Sequence, residues 1–110
     1  MIIDTNENIS IITQEKATVI ELVKKMETLY PKFKNQHIIV KLSALETLSL
    51  KDVAEFLRIS SQHREAKQSF VIVANTFDID KSPDKLVIVP TIQEAYDIIE
   101  MEDIERDLGF

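Results

Sequence analysis

His37-Ile38-Ile39-Val40-Lys41-Leu42-Ser43-Ala44-Leu45-Glu46-Thr47-Leu48-Ser49-Leu50-Lys51-Asp52-Val53-Ala54 is the stretch on which the reading of this chain turns. Its first part is an apolar, β-branched run, the composition of a buried strand. Its last part opens a helix. Ser49 stands three residues before Asp52, and Leu50, Val53, Ala54 and Leu57 follow at helical spacing. A strand, a short loop and a helix start form the corner of an open α/β sheet at which function tends to sit. Backbone N–H groups at such a helix start lack internal partners and favour an anion or a hydroxyl acceptor.

Outward from this corner, strands alternate with helices. Met1-Ile2-Ile3 and Ile9-Ser10-Ile11-Ile12-Thr13 flank a turn-forming Asp4-Thr5-Asn6-Glu7-Asn8, which predicts a hairpin. Thr18 and Glu21 have capping-box spacing, with an earlier start at Thr13 as the alternative, and Val19, Leu22, Val23, Met26, Leu29 and Tyr30 mark one buried helical stripe. Pro31 should end or kink that helix near Tyr30. The strand over 38–42 follows, with Lys41 near its end, and then a helix from about Leu50 to Glu65 whose tail from Ser60 to Lys67 reads as solvated. Phe70–Ala74 and Leu86–Val89 are further apolar runs, separated by a polar loop from Asn75 to Lys85. Thr91 and Glu94 open a last helix, with Ile92, Ala95, Tyr96 and Ile99 facing inward. Its apolar phase then changes to Met101, Ile104 and Leu108, so either it breaks near Glu100 or its second half faces a different surface. The expected fold is a single α/β domain: a mixed, mostly parallel sheet of four to five strands with helices packed on it, and 101–110 as a C-terminal helical extension.

Composition narrows the function. The 110 residues suffice for one core but not two. The net charge of −6 and the scattered Lys and Arg argue against direct nucleic-acid or anionic-membrane partners. The sole glycine is Gly109, which excludes a P-loop or a glycine-rich dinucleotide fingerprint. Cysteine is absent, so there is no disulfide, thiol nucleophile or thiolate metal site. No secretory leader is expected from Met1-Ile2-Ile3-Asp4, and no apolar run approaches the roughly 20 residues of a membrane span. A cytoplasmic protein is the simplest expectation.

Both the element order and local residues resemble the STAS family, the fold of bacterial anti-sigma factor antagonists, over about residues 8 to 100. Val40-Lys41-Leu42-Ser43 is similar to the family's strand, and Leu45-Glu46-Thr47-Leu48 to its loop. Ser49-Leu50-Lys51-Asp52-Val53 falls on the family's Asp-Ser-Ser-Gly-Leu helix start, and Val89-Pro90-Thr91-Ile92-Gln93-Glu94-Ala95 looks like its passage into the last helix. The resemblance implies a STAS-like regulatory module whose partner is a protein, a regulatory kinase or an anti-sigma-type factor. Where the family carries a phosphorylatable serine, this chain has Leu50; Ser49 is either an out-of-register phosphosite or, more ordinarily, a helix cap. The implied partner-binding residues are Ser43, Ser49, Leu50, Lys51 and Asp52. The ending from Ile98 to Leu108 also looks like that of small STAS-like proteins associated with ribonuclease Z, a two-zinc enzyme whose His-rich centre this chain does not carry.

Few catalytic arrangements can be built from two histidines and no cysteine. His37 and His63 are expected to be solvated rather than basic catalysts. Asp78, Asp80 and Asp84, with Ser82, occupy a loop without EF-hand spacing. No catalytic residue, metal or cofactor is expected. A small-ligand or nucleotide carrier using the helix start at Ser49–Asp52 is the alternative. The acidic last helix is expected to be a solvated face, or else a second interaction face through Met101, Ile104, Leu108 and Phe110. The expected state is a monomer or a weak homodimer.

Overall fold

The computed structural model describes residues 1–14, 18–42, 48–75 and 81–109. β1 (Ile2–Asn6) and β2 (Ile9–Thr13) form the expected hairpin, closed by Glu7 and Asn8. Glu7 takes φ 55°, the left-handed backbone that a tight hairpin turn needs. α1 (Val19–Phe33) starts at Thr18, whose hydroxyl accepts from the Glu21 N–H at 3.2 Å. β3 (His37–Lys41), β4 (Phe70–Val73) and β5 (Val87–Val89) complete a five-stranded sheet in the order β1-β2-β3-β4-β5. β1 is antiparallel to β2, and the other neighbours are parallel.

Alternation along the strands sorts the core onto two faces. Ile38, Val40, Phe70 and Ile72 join Leu22 and Met26 of α1, together with residues of the helices that follow β3. Ile39, Val71 and Val73 point the other way and meet Ala95 and Ile99 of α4 (Ile92–Asp107). The chain is therefore a three-layer α/β domain among its described residues.

Three expectations are corrected. α1 does not stop at Tyr30 but carries Pro31 within its last turn and ends at Phe33. A proline so near the end forgoes one backbone bond, while Phe33, 2% exposed, anchors the turn in the core. The helix expected from Leu50 to Glu65 is two, α2 (Leu50–Ala54) and α3 (Leu57–Glu65). Between them Glu55 and Phe56 donate their N–H groups three residues back, to Asp52 and Val53, at 3.2 and 3.1 Å. That tighter turn re-aims the chain so that Val53, Phe56 and Ile59 all reach the core. The tail of α3 is not uniformly solvated, since Ser60 and His63 are fully buried.

α4 runs unbroken through Glu100. Of the two alternatives for its phase change, the second holds: Met101, Ile104 and Leu108 face solvent.

Replacing Phe56 by Ala should cost about 3–5 kcal/mol, a large share of the roughly 5–15 kcal/mol that holds such a domain together. Urea unfolding measures it, and a loss under about 1 kcal/mol would contradict the packing described.

Candidate functional site

β3 and α2 stand on either side of the corner that the residue pattern marks. Lys41 ends the strand exposed, while Leu42 is buried and donates its N–H to the Val73 carbonyl at 3.0 Å. Ser43, with residues 44–47, lies outside the described residues. Leu48 is buried and leads into Ser49, which caps α2. The Ser49 hydroxyl accepts from the Asp52 N–H at 3.1 Å, and the Asp52 carboxylate accepts from the Ser49 N–H at 3.1 Å. Both halves of the capping box are thus made. The oxygen a kinase would modify holds the helix start, and a carboxylate already stands at the position an anion would favour. Beside this closed cap Lys51 is exposed, and Leu50 is 51% exposed with its side chain toward water.

A cleft that the sequence did not disclose lies along the same end of the sheet. The C-terminal ends of β2, β3 and β4 and the start of α4 enclose about 390 Å³, lined by Thr13, Gln14, Lys41, Asn75 and Thr91 over Leu42, Val73, Pro90 and Ile92. None of Ser49, Leu50, Lys51 or Asp52 lines it. The available signal was that consecutive strands close on polar residues, but that pattern has meaning only once the strands are neighbours. Thr91 caps α4, accepting from the Glu94 N–H at 3.2 Å.

The opposite rim holds a polar network that overturns the expectation of solvated histidines. His63 is fully buried. Its Nε2 lies 2.6 Å from the Gln36 carbonyl, which can only accept, so Nε2 carries the proton. Nδ1 then accepts from the Tyr30 hydroxyl at 2.8 Å. Gln36 continues the network by accepting from the Ser10 hydroxyl through its side chain. His37 is 3% exposed; its Nδ1 accepts from the Ser69 N–H at 2.9 Å, so its Nε2–H points at Asp103, 2.9 Å away. Burial holds both imidazoles below their ordinary value, His63 to about 4, with the Gln36 carbonyl opposing it there and the Asp103 carboxylate opposing it at His37. Each histidine is committed to backbone groups at the start of the parallel strands.

α4 meets this rim with charge. Arg64 of α3 pairs with Glu102 at 3.1 Å, and Arg106 pairs with Asp103 at 3.1 Å while donating to the Ser69 hydroxyl at 2.8 Å. The acidic helix is therefore not all a solvated face, since Glu102 and Asp103 are partly buried. Of the second candidate face, Met101, Ile104 and Leu108 are 55%, 54% and 67% exposed. Phe110 lies outside the described residues.

Of the loop carboxylates, Asp84 is exposed, and Asp78 and Asp80 lie outside the described residues. Among the described residues no group of three His, Cys, Asp or Glu could hold a metal ion. No helix among them is long and apolar enough to cross a membrane. No known family matches the chain, and no curated protein matches it.

Two outcomes separate capping from docking and test the buried network. Ser49→Ala should cost about 1 kcal/mol by removing the cap, whereas Leu50→Asp should change stability by less than about 0.5 kcal/mol. Chemical denaturation compares them, and equal effects would refute the assignment. For His63, a folded value of about 4 against an ordinary 6.5 means that the unfolded chain takes the proton first as pH falls. Its contribution, up to about 3 kcal/mol, is present above pH 6.5 and drains away toward pH 4. Stability measured from pH 7 to 5 should fall, and His63→Gln should flatten the slope; an unchanged slope would exclude the neutral, buried imidazole.

Proposed function

We propose that the chain is a non-enzymatic, STAS-like protein-interaction module, a divergent relative in type of the anti-sigma factor antagonists, working in the cytoplasm. The observation that carries this reading is Leu50, a large apolar side chain left half in water on a helix start that is otherwise closed. A closed cap with an exposed leucine is poorly suited to hold an anion and well suited to enter an apolar pocket on another protein. Support for the STAS-like part comes from the antiparallel hairpin at one edge of a parallel sheet, with a helix opening after the central strand. On this reading the partner's contact is formed by Leu50 with Ser49, Lys51 and Asp52 beside it, and the resemblance adds Ser43, which lies outside the described residues. Because Leu50 cannot accept phosphate, docking at this corner is not gated by modification of that residue.

The 390 Å³ cleft favours a second reading, a small-ligand module that binds beside Lys41 and Thr91 rather than at Ser49–Asp52. A thermal-shift screen against nucleotides, phosphates and carboxylates tests it, and a flat panel would remove it.

For the first reading, a photo-crosslinking amino acid at position 50 of the full chain, expressed in its own cell, should trap one defined protein. Purified, that protein should bind the unaltered chain at least tenfold more tightly than Leu50→Asp, a difference of about 1.4 kcal/mol. Equal affinity for both would refute docking through Leu50.

A further inference from the structure

The last two turns of α4 are amphipathic in the reverse of the usual sense. Their inner side is polar: Glu102, Asp103 and Arg106 are half-buried and pair with one another or with Arg64 and His37. Their outer side carries Met101, Ile104 and Leu108, spaced at three and four residues and each more than half exposed. A surface helix ordinarily turns its apolar stripe inward, so these three side chains do not serve this domain's own core.

Ile104 also borders a groove of about 360 Å³ between α4 and the start of β2, floored by Ile9 and Tyr96. Glu100 and Asp107 stand on its rim, and neither forms an ion pair among the described residues. Apolar floor and acidic rim thus occur together, at the end of the molecule away from Leu50. α4 starts at the Lys41 and Val73 end of the strands and finishes against His37 and Ser69, which begin the strand run at the opposite end.

We propose that this groove and stripe form a docking surface for a basic amphipathic helix of another protein. Its apolar side would cover Ile104 and Ile9, and its Lys or Arg residues would pair with Glu100 and Asp107. Charge selects this occupant. A second copy packed about a twofold axis would set Glu100 and Asp107 against themselves, and a phosphate-bearing surface would meet the same acids. The proposal goes beyond the role given to Leu50 and does not depend on it.

The test is a titration of isotope-labelled full-length protein, followed by amide NMR shifts, with three synthetic peptides. The probe is a helix-forming Lys/Leu peptide with leucines at i, i+3, i+4 and i+7. Its controls are a Glu/Leu peptide of the same pattern and a Lys/Ser peptide. The Lys/Leu peptide alone should bind, with shifts concentrated at Ile9, Tyr96 and Ile104. Binding should weaken at least tenfold in Ile104→Ser and in the double variant Glu100→Lys, Asp107→Lys, and should be unchanged in Leu50→Asp. Ile104 is over half exposed, so its replacement leaves the core intact. Equal binding of either control peptide, or shifts spread over the acidic surface, would overturn the proposal. So would displacement of the peptide by a copy of the chain engaging through Lys24, Lys25 and Leu29 of α1.

Discussion

Between His37 and Val40 four successive side chains are lost to water, and a strand in that condition requires cover on both of its faces. β3 lies at the centre of the sheet, so this requirement propagates outward. Ile38 and Val40 need α1, α2 and α3 above them, and Ile39 needs α4 below. Three parallel pairings then follow from crossovers that each carry the chain back to the end of the sheet where the strands start, so that the strands all finish together at the other end. Both the exposed helix start at Leu50 and the cleft beside Lys41 lie at that finishing end.

The other rim solves a different problem. Strand and helix ends there leave the Gln36 carbonyl and the Ser69 N–H needing partners away from bulk water, and His63 and His37 supply them. Two neutral imidazoles can do this because each presents one donor and one acceptor. The same rim ties down the end of α4 through ion pairs of Arg64, Asp103 and Arg106 rather than through apolar packing. Such partly exposed pairs contribute modestly to stability, on the order of 1 kcal/mol or less each, but their geometry fixes which side of the helix faces inward. The outward apolar stripe is the consequence.

Local features were legible in the residues. Thr18, Ser49 and Thr91 cap their helices because a cap requires only a side chain and an N–H three residues away. The hairpin, the end of β3 at Lys41 and the inward positions Ala95 and Ile99 follow from short-range pattern in the same way. Leu50 departs from that pattern: spacing sets it on one stripe with Val53, Ala54 and Leu57, yet Val53 is buried and Leu50 stands half in water. His63 carries no local sign of burial, because its neighbours Gln62 and Arg64 are polar while its partners Tyr30 and Gln36 come from elsewhere in the chain. The helix continues past Pro31 because Phe33 lies beyond it and offsets the missing bond by burial. Neither the split between α2 and α3 nor the cleft at Thr13 and Thr91 has a local signature, since each exists only when separate segments meet.

Periodicity, caps and the lack of glycine motifs were enough to establish an α/β domain without a P-loop or a glycine-rich dinucleotide fingerprint, because those properties reside in residues a few positions apart. Assembly was needed to assign the two histidines to backbone groups and to turn the end of α4 inside out. Those outcomes depend on which unsatisfied groups and which charges the folded chain brings within hydrogen-bonding distance, and segments as distant as His37 and Asp103 carry no trace of that meeting in their own neighbourhoods.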